Sequence, residues 1–207
     1  RTSPAAPPHE RTVLLAPSWG KSSIFGKFGG KIIDVLLKTG YHIIVRPHPQ
    51  SFTAEKELME KLTREYPESN QLEWNRDNDN FEVLKRSDIM ISDFSGVIFD
   101  FVLVYDKPVI YADTEFDKSP YDAWWLDTPF WTFTALPRIG KKLTADSLAS
   151  LKDMIDACLT ETEYEKGRQA VRDETWLYRG EGTERAVDYL LGKYRELTSQ
   201  ETKEKTL

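Results

Sequence analysis

Cysteine, histidine, positive charge and long apolar runs are all scarce in this 207-residue chain, and each scarcity excludes something. The single cysteine, Cys158, rules out an internal disulfide framework and any cysteine-based zinc site. His9, His42 and His48 show no metal-ligand spacing, so no metal and no cofactor are expected. No apolar stretch approaches the roughly 20 residues that cross a bilayer, and no signal-peptide pattern is visible. Lys and Arg number 28 against 34 Asp and Glu, a formal net charge of −6. That balance argues against a nucleic-acid surface, so no nucleic acid is expected as a partner.

What is present alternates. Residues 1–10 (RTSPAAPPHE) are proline-rich and read as a linker. A Rossmann-like α/β domain is expected over 11–195, with a βα core over 11–111. An aromatic, loop-like stretch over 112–140 and a helical part over 141–195 follow, then a charged tail over 196–207. Strands are expected at Val13–Ala16, His42–Val45, Gln71–Trp74, Ile89–Ile91 and Val109–Tyr111, with helices near 30–38, 54–66, 81–86 and 97–104. Further helices are expected at Thr144–Cys158, Thr162–Thr175 and Thr183–Leu191. Such alternation points to an open parallel sheet covered on both faces. The length suffices for one large domain with a buried core. The chain begins at Arg1, not Met, which suggests a domain cut from a longer protein.

The richest segment is Ser87–Tyr111, read as strand, polar turn, buried helix and strand. In such a unit the turn after the strand opens the site, and the helix start offers free N–H groups to an anion. Ser95 adds a hydroxyl there, and Asp100 lies about one turn further on, near the same crevice. Asp93 and Ser95 also suit ordinary helix capping, which uses the same N–H groups. Asp100, if buried in an apolar helix, needs a partner or a ligand hydroxyl, because an unpaired carboxylate is costly there. A second strand delivers Arg46-Pro47-His48-Pro49, where the prolines stiffen the backbone around an imidazole and a guanidinium suited to a pyrophosphate. A third ends in Pro17-Ser18-Trp19-Gly20, which brings Ser18 to the same edge. Arg179 and Thr183, before the last helix, either reach a phosphate through that helix start or act as an ordinary cap. Gly20-Lys21-Ser22 is not a P-loop, since Leu15 stands where the pattern needs glycine. Trp124, Trp125, Trp131 and Phe133 read as core or interface aromatics rather than a stacking platform.

Together APSWG (16–20), HIIVRPHP (42–49), SDFSGVIFDF (92–101) and DKPVIY (106–111) resemble the CDP-glycerol glycerophosphotransferases, the teichoic acid polymerases and primases. The resemblance spans roughly residues 12–190 and implies the C-terminal, donor-binding half of a GT-B fold. It implies that His48, as the catalytic group, and Ser95 contact the donor diphosphate, and Asp100 the donor's glycerol or sugar end. The partners it implies are a CDP-activated polyol donor, a polymer or lipid-linked acceptor, and a missing N-terminal GT-B domain. A cytoplasmic setting is implied, with the full-length protein peripheral at the inner face of the cell membrane. Two positions depart from the family pattern: Gly96 replaces a frequent second Ser, and Gly20 a common basic residue. Two alternatives stay open: a nucleotide-sugar glycosyltransferase or epimerase of GT-B fold, or a non-catalytic module that keeps the fold.

Overall fold

A computed structural model describes residues 11–119 and 125–204. Its contacts divide the chain into two compact units, with the break between Val171 and Arg172.

The first unit is built on a six-stranded, all-parallel sheet in the order β3-β2-β1-β4-β5-β6. The strands are β1 (Thr12–Ala16), β2 (His42–Val45), β3 (Leu72–Trp74), β4 (Ile89–Ser92), β5 (Val109–Ala112) and β6 (Gly140–Leu143). Around them lie α1 (Ile24–Phe28), α2 (Lys31–Leu37), α3 (Ser51–Ala54), α4 (Lys56–Glu65), α5 (Phe81–Arg86), α6 (Val97–Tyr105), α7 (Trp131–Ile139) and α8 (Leu151–Thr160). Helices α9 (Glu165–Thr175) and α10 (Gly182–Glu204) complete the order, and the break between the units falls within α9.

Side chains alternate across a strand with period two, and here both faces are apolar. Val13, Leu15, Ile43, Val45, Ile89 and Ile91 enter one core with Ile32, Ile33 and Leu36 of α2, Leu62 of α4 and Ile155 of α8. Leu14, Ile44 and Met90 enter the other, against Leu84 of α5, Phe101 of α6 and Leu136 of α7. Most of these side chains are fully buried, and each such burial contributes about 1.5–3 kcal/mol. A sheet buried on both faces must be made of continuous apolar runs, which is what the strands are.

Several elements differ from the sequence expectation. The 112–140 stretch ends in α7 and runs directly into β6. Pro137 lies inside α7, and β6 reads Gly-Lys-Lys-Leu with its lysines outside the core, so neither shows an apolar run. Gly140 is required where it stands, because a Cβ there would come within 2.5 Å of the Val109 carbonyl oxygen. At the other end, helix α10 continues through the supposed tail to Glu204. The 144–158 stretch is helical only from Leu148, first as a short 3-10 turn and then as α8.

In the second unit, Arg179 donates to Asp173 at 2.6 Å and lies over the Trp176 ring. Thr183 is the second residue of α10. Both line a hollow together with Trp176, Leu177 and Tyr178. No helix of the described residues is long and apolar enough to cross a membrane.

Candidate functional site

In this strand order the chain starts at the middle of the sheet, winds out to β3, and returns to wind out the other way from β4. The reversal between β1 and β4 opens a crevice beyond their C-terminal ends, where open α/β sheets bind ligands. The turns that follow β1, β2 and β4 meet there. The β1–β2 pairing continues past the strands, with Arg46 N–H donating to Leu15 O at 2.8 Å and His48 N–H to Pro17 O at 3.1 Å. Ser92 Oγ–H donates to Ala16 O at 2.7 Å and so ties β4 to the end of β1.

A cavity of about 410 Å3 results, lined by Pro17, Arg46, His48, Ser95, Gly96 and Asp100 among others. Helix α6 points its N-terminus into it. Ile98 N–H and Phe99 N–H turn back to Ser95 O and Gly96 O at 3.2 and 3.0 Å. The N–H groups at the very start of a helix have no intrahelical acceptor, and Gly96 provides no side-chain cap. These amides, the Ser95 hydroxyl and the positive end of the helix dipole are the kinds of group that favour an anion.

The three strand-end turns place different groups. His48 is exposed, and its Nδ1 accepts from Gln50 N–H at 3.1 Å. With Nδ1 acting as acceptor, the neutral ring carries its proton on Nε2 and can donate it to a ligand oxygen. Arg46 is half-buried and held by Asn80 Oδ1 at 3.0 Å, by Asn75 Oδ1, and by the Asp77 carbonyl at 2.8 Å. Burial pulls its pKa down while Asp77 and Asp79 push it back up. Asp100 is exposed to the crevice rather than buried within the helix, and partial desolvation raises its pKa.

Ser18 and Asp93 do something else. Asp93 is 0 % exposed and accepts from Ser18 N–H at 3.1 Å and Ile24 N–H at 2.9 Å. Complete burial pushes its carboxyl pKa up, and the Ser18 hydroxyl with the amides of Ile24, Ser18 and Phe94 pulls it back. Neither residue lines the cavity that holds His48 and Ser95. They form a buried brace that fixes the β1–α1 turn to the β4–α6 turn, and so stand apart from the groups with which the sequence reading placed them. The physical reason is local: a carboxylate that already gathers several N–H and O–H donors has its lone pairs occupied by the protein.

Sequence reasoning missed the turn after β3. Asn78 and Asn80 line the cavity, and Asn75 is buried at its margin. The signal was present as three asparagines in the run Asn75–Asn80 following a strand. The aromatic residues lie elsewhere. A second cavity, about 360 Å3, is walled by Phe94, Phe116, Phe130 and Phe133 beyond the β5 end. Phe116 packs on Phe94 and Phe133 at 4.7 and 5.2 Å between ring centroids, and Trp131 packs on Phe99 at 4.8 Å. Trp125 is exposed, and Trp124 lies outside the described residues. Among the described residues no cluster of His, Cys, Asp and Glu has the arrangement of a metal site.

No curated protein matches this chain by sequence. Several solved glycosyltransferases are similar to it. SnogD from Streptomyces nogalater shows a TM-score of 0.49 at 10% identity over 84% of this chain and 42% of that one. The C-terminal domain of the group 1 glycosyl transferase LpcC from Francisella tularensis shows 0.46 at 12% identity, over 80% of this chain and 86% of that one. The wall teichoic acid polymerase TagF shows 0.42 at 22% identity, over 80% and 43%. The chain thus spans less than half the length of SnogD and TagF. The family model for CDP-glycerol:poly(glycerophosphate) glycerophosphotransferase matches residues 6–191, nearly the whole sequence, and the chain belongs to that family.

Proposed function

We propose that this chain is the donor-binding half of a GT-B glycerophosphotransferase, and that its crevice holds the diphosphate of a CDP-activated polyol such as CDP-glycerol. One observation carries the reading. The N-terminus of α6 opens at the β1/β4 reversal into a cavity where Arg46, His48 and Ser95 converge, in a chain of the glycerophosphotransferase family.

In the reaction, an acceptor hydroxyl oxygen attacks the β-phosphorus of the donor. The new P–O bond joins glycerol phosphate to the polymer or lipid-linked acceptor, and the bond to the α-phosphate oxygen breaks to release CMP. Negative charge builds on that leaving phosphate. The α6 amides, the Ser95 hydroxyl, the Arg46 guanidinium and His48 Nε2–H lie where they can stabilise it, and one well-placed donor of this kind is worth on the order of 3 kcal/mol. His48 also supplies a proton that can pass to the departing oxygen. Asp100 accepts from a hydroxyl of the donor. The base that takes the acceptor's proton is assigned to the other half of the GT-B fold, so the 207 residues alone are expected to bind donor and transfer nothing. In the full protein this half works at the inner face of the membrane.

The test is a thermal-shift and calorimetry panel of CDP-glycerol, CDP-ribitol, CMP, UDP-sugars and ATP. A cytidine nucleotide at a hundredfold excess over its Kd should stabilise the domain by about 2.7 kcal/mol. His48→Ala and Ser95→Ala should weaken binding, and His9→Ala should leave it unchanged. Equal affinity of wild type and His48→Ala would remove His48 from the site, and preference for a UDP-sugar would replace the proposed donor.

A further inference from the structure

The turn after β3 surrounds Arg46, the one guanidinium among the described residues that line the crevice. Arg46 Nε–H donates to Asn80 Oδ1 at 3.0 Å, Nη1–H to Asn75 Oδ1, and Nη2–H to the Asp77 carbonyl at 2.8 Å. A guanidinium has five N–H donors in a rigid fork. Two are therefore left over, one on each terminal nitrogen, in a side chain that lines the cavity.

Asn75 is 5 % exposed and does not line that cavity. Its own amide is fixed from the far side. Nδ2 donates to Glu73 Oε1 at 3.2 Å and to Asp77 Oδ2 at 2.8 Å, and Glu73 is in turn paired with Arg86. An amide with both donors engaged presents its oxygen in one direction only, and here that direction is Arg46. Glu73 is held as a carboxylate, its pKa lowered by the Arg86 hydrogen bond. Polar networks in which every member is satisfied hold a single geometry. Arg86, Glu73, Asn75, Arg46 and Asn80 form one continuous hydrogen-bonded chain, and its open end is the pair of spare Arg46 donors.

We propose that Asn75 and Asn80 are positioning residues for diphosphate recognition: they turn the Arg46 guanidinium so that its two free N–H groups form a fork for a donor phosphate. This rests on the reading of the crevice as a nucleotide-diphosphate site. A flexible arginine would lose rotamer freedom on meeting a phosphate; a clamped one has already lost it, and the binding is stronger by that amount.

The test is isothermal calorimetry of CDP-glycerol binding to the 207-residue chain. The variants are Arg46→Ala, Asn75→Ala, Asn80→Ala and the two doubles with Arg46→Ala, each checked for a cooperative unfolding transition. Asn75→Ala should weaken binding about tenfold, the size expected when one hydrogen bond to a charged group is lost. The double Arg46→Ala/Asn75→Ala should bind no more weakly than Arg46→Ala alone, because Asn75 acts only through the guanidinium. A merely structural asparagine would instead give additive losses. If Asn75→Ala does not fold, the cycle with Asn80→Ala decides by the same criterion, since a direct contact from Asn80 to the donor would persist without Arg46. Wild-type affinity in the asparagine variants, or additive losses, overturns the inference while the donor reading stands. A wild-type chain that binds no nucleotide diphosphate overturns both.

Discussion

Removing the Asp93 carboxylate should destabilise the scaffold rather than act on any ligand. Asp93→Ala leaves two buried amides, Ser18 N–H and Ile24 N–H, without an acceptor, and frees the Ser18 hydroxyl as well. Each buried donor left unsatisfied costs about 1–3 kcal/mol. Against this, the folded state no longer has to desolvate a carboxylate, which offsets part of the loss. A net destabilisation of about 3 kcal/mol follows from these terms, a large share of a typical domain's roughly 5–15 kcal/mol. Ser95→Ala should behave oppositely. Ser95 is only partly buried, and its side chain caps no amide of α6, so stability should stay within about 0.5 kcal/mol while donor affinity falls. Urea unfolding followed by tryptophan fluorescence separates the two, reading a shift in midpoint at constant slope. An Asp93→Ala midpoint within about 1 kcal/mol of wild type would refute the idea that this carboxylate braces the two turns.

Further outcomes follow from local geometry. Gly96 has φ −58, and a Cβ built there would meet no atom within 4 Å. Gly96→Ser should therefore fold normally and, by adding a hydroxyl beside the α6 amides, tighten donor binding in calorimetry. Gly20, by contrast, has φ +90, and Gly20→Lys should cost about 1–3 kcal/mol in thermal unfolding for backbone strain alone. Gly167→Ala should be among the most damaging small changes, because its Cβ would fall 1.8 Å from the Arg138 carbonyl oxygen. A loss of about 1–3 kcal/mol is expected for such overpacking, and an unchanged unfolding midpoint would contradict the close approach. Burial pushes the Cys158 thiol up to about 11. At about pH 8 a maleimide should therefore label it only after unfolding, and rapid labelling of the native chain would show that α8 opens locally.

The parts of this protein that the sequence determined alone are those whose signal is local. Ile89–Ile91, the Ser-Asp-Phe-Ser-Gly turn and the apolar run from Val97 make a strand, a turn and a helix whatever surrounds them, and α6 forms there. His42–Val45 followed by Arg46-Pro47-His48-Pro49 likewise announced both a buried strand and its polar end. The elements that escaped lack such a run. Strand β6 carries two lysines and exists because Gly140 lets it approach β5, and α7 tolerates Pro137 because Leu136 and Ile139 bury against the second core. At the site the division is the same. That Asp93 and Ser95 sit at a helix start was readable from their spacing. Which of the two opens to the crevice was not, because Asp93 turns inward only when β1 lies beside β4 and presents the Ser18 and Ile24 amides to it. Asn75 and Asn80 reach Arg46 only because β3 pairs with β2 and carries their turn against it. Strand propensity is written in neighbouring residues, but the partner of a polar side chain 34 or 69 positions away is fixed only by the order of strands in the sheet.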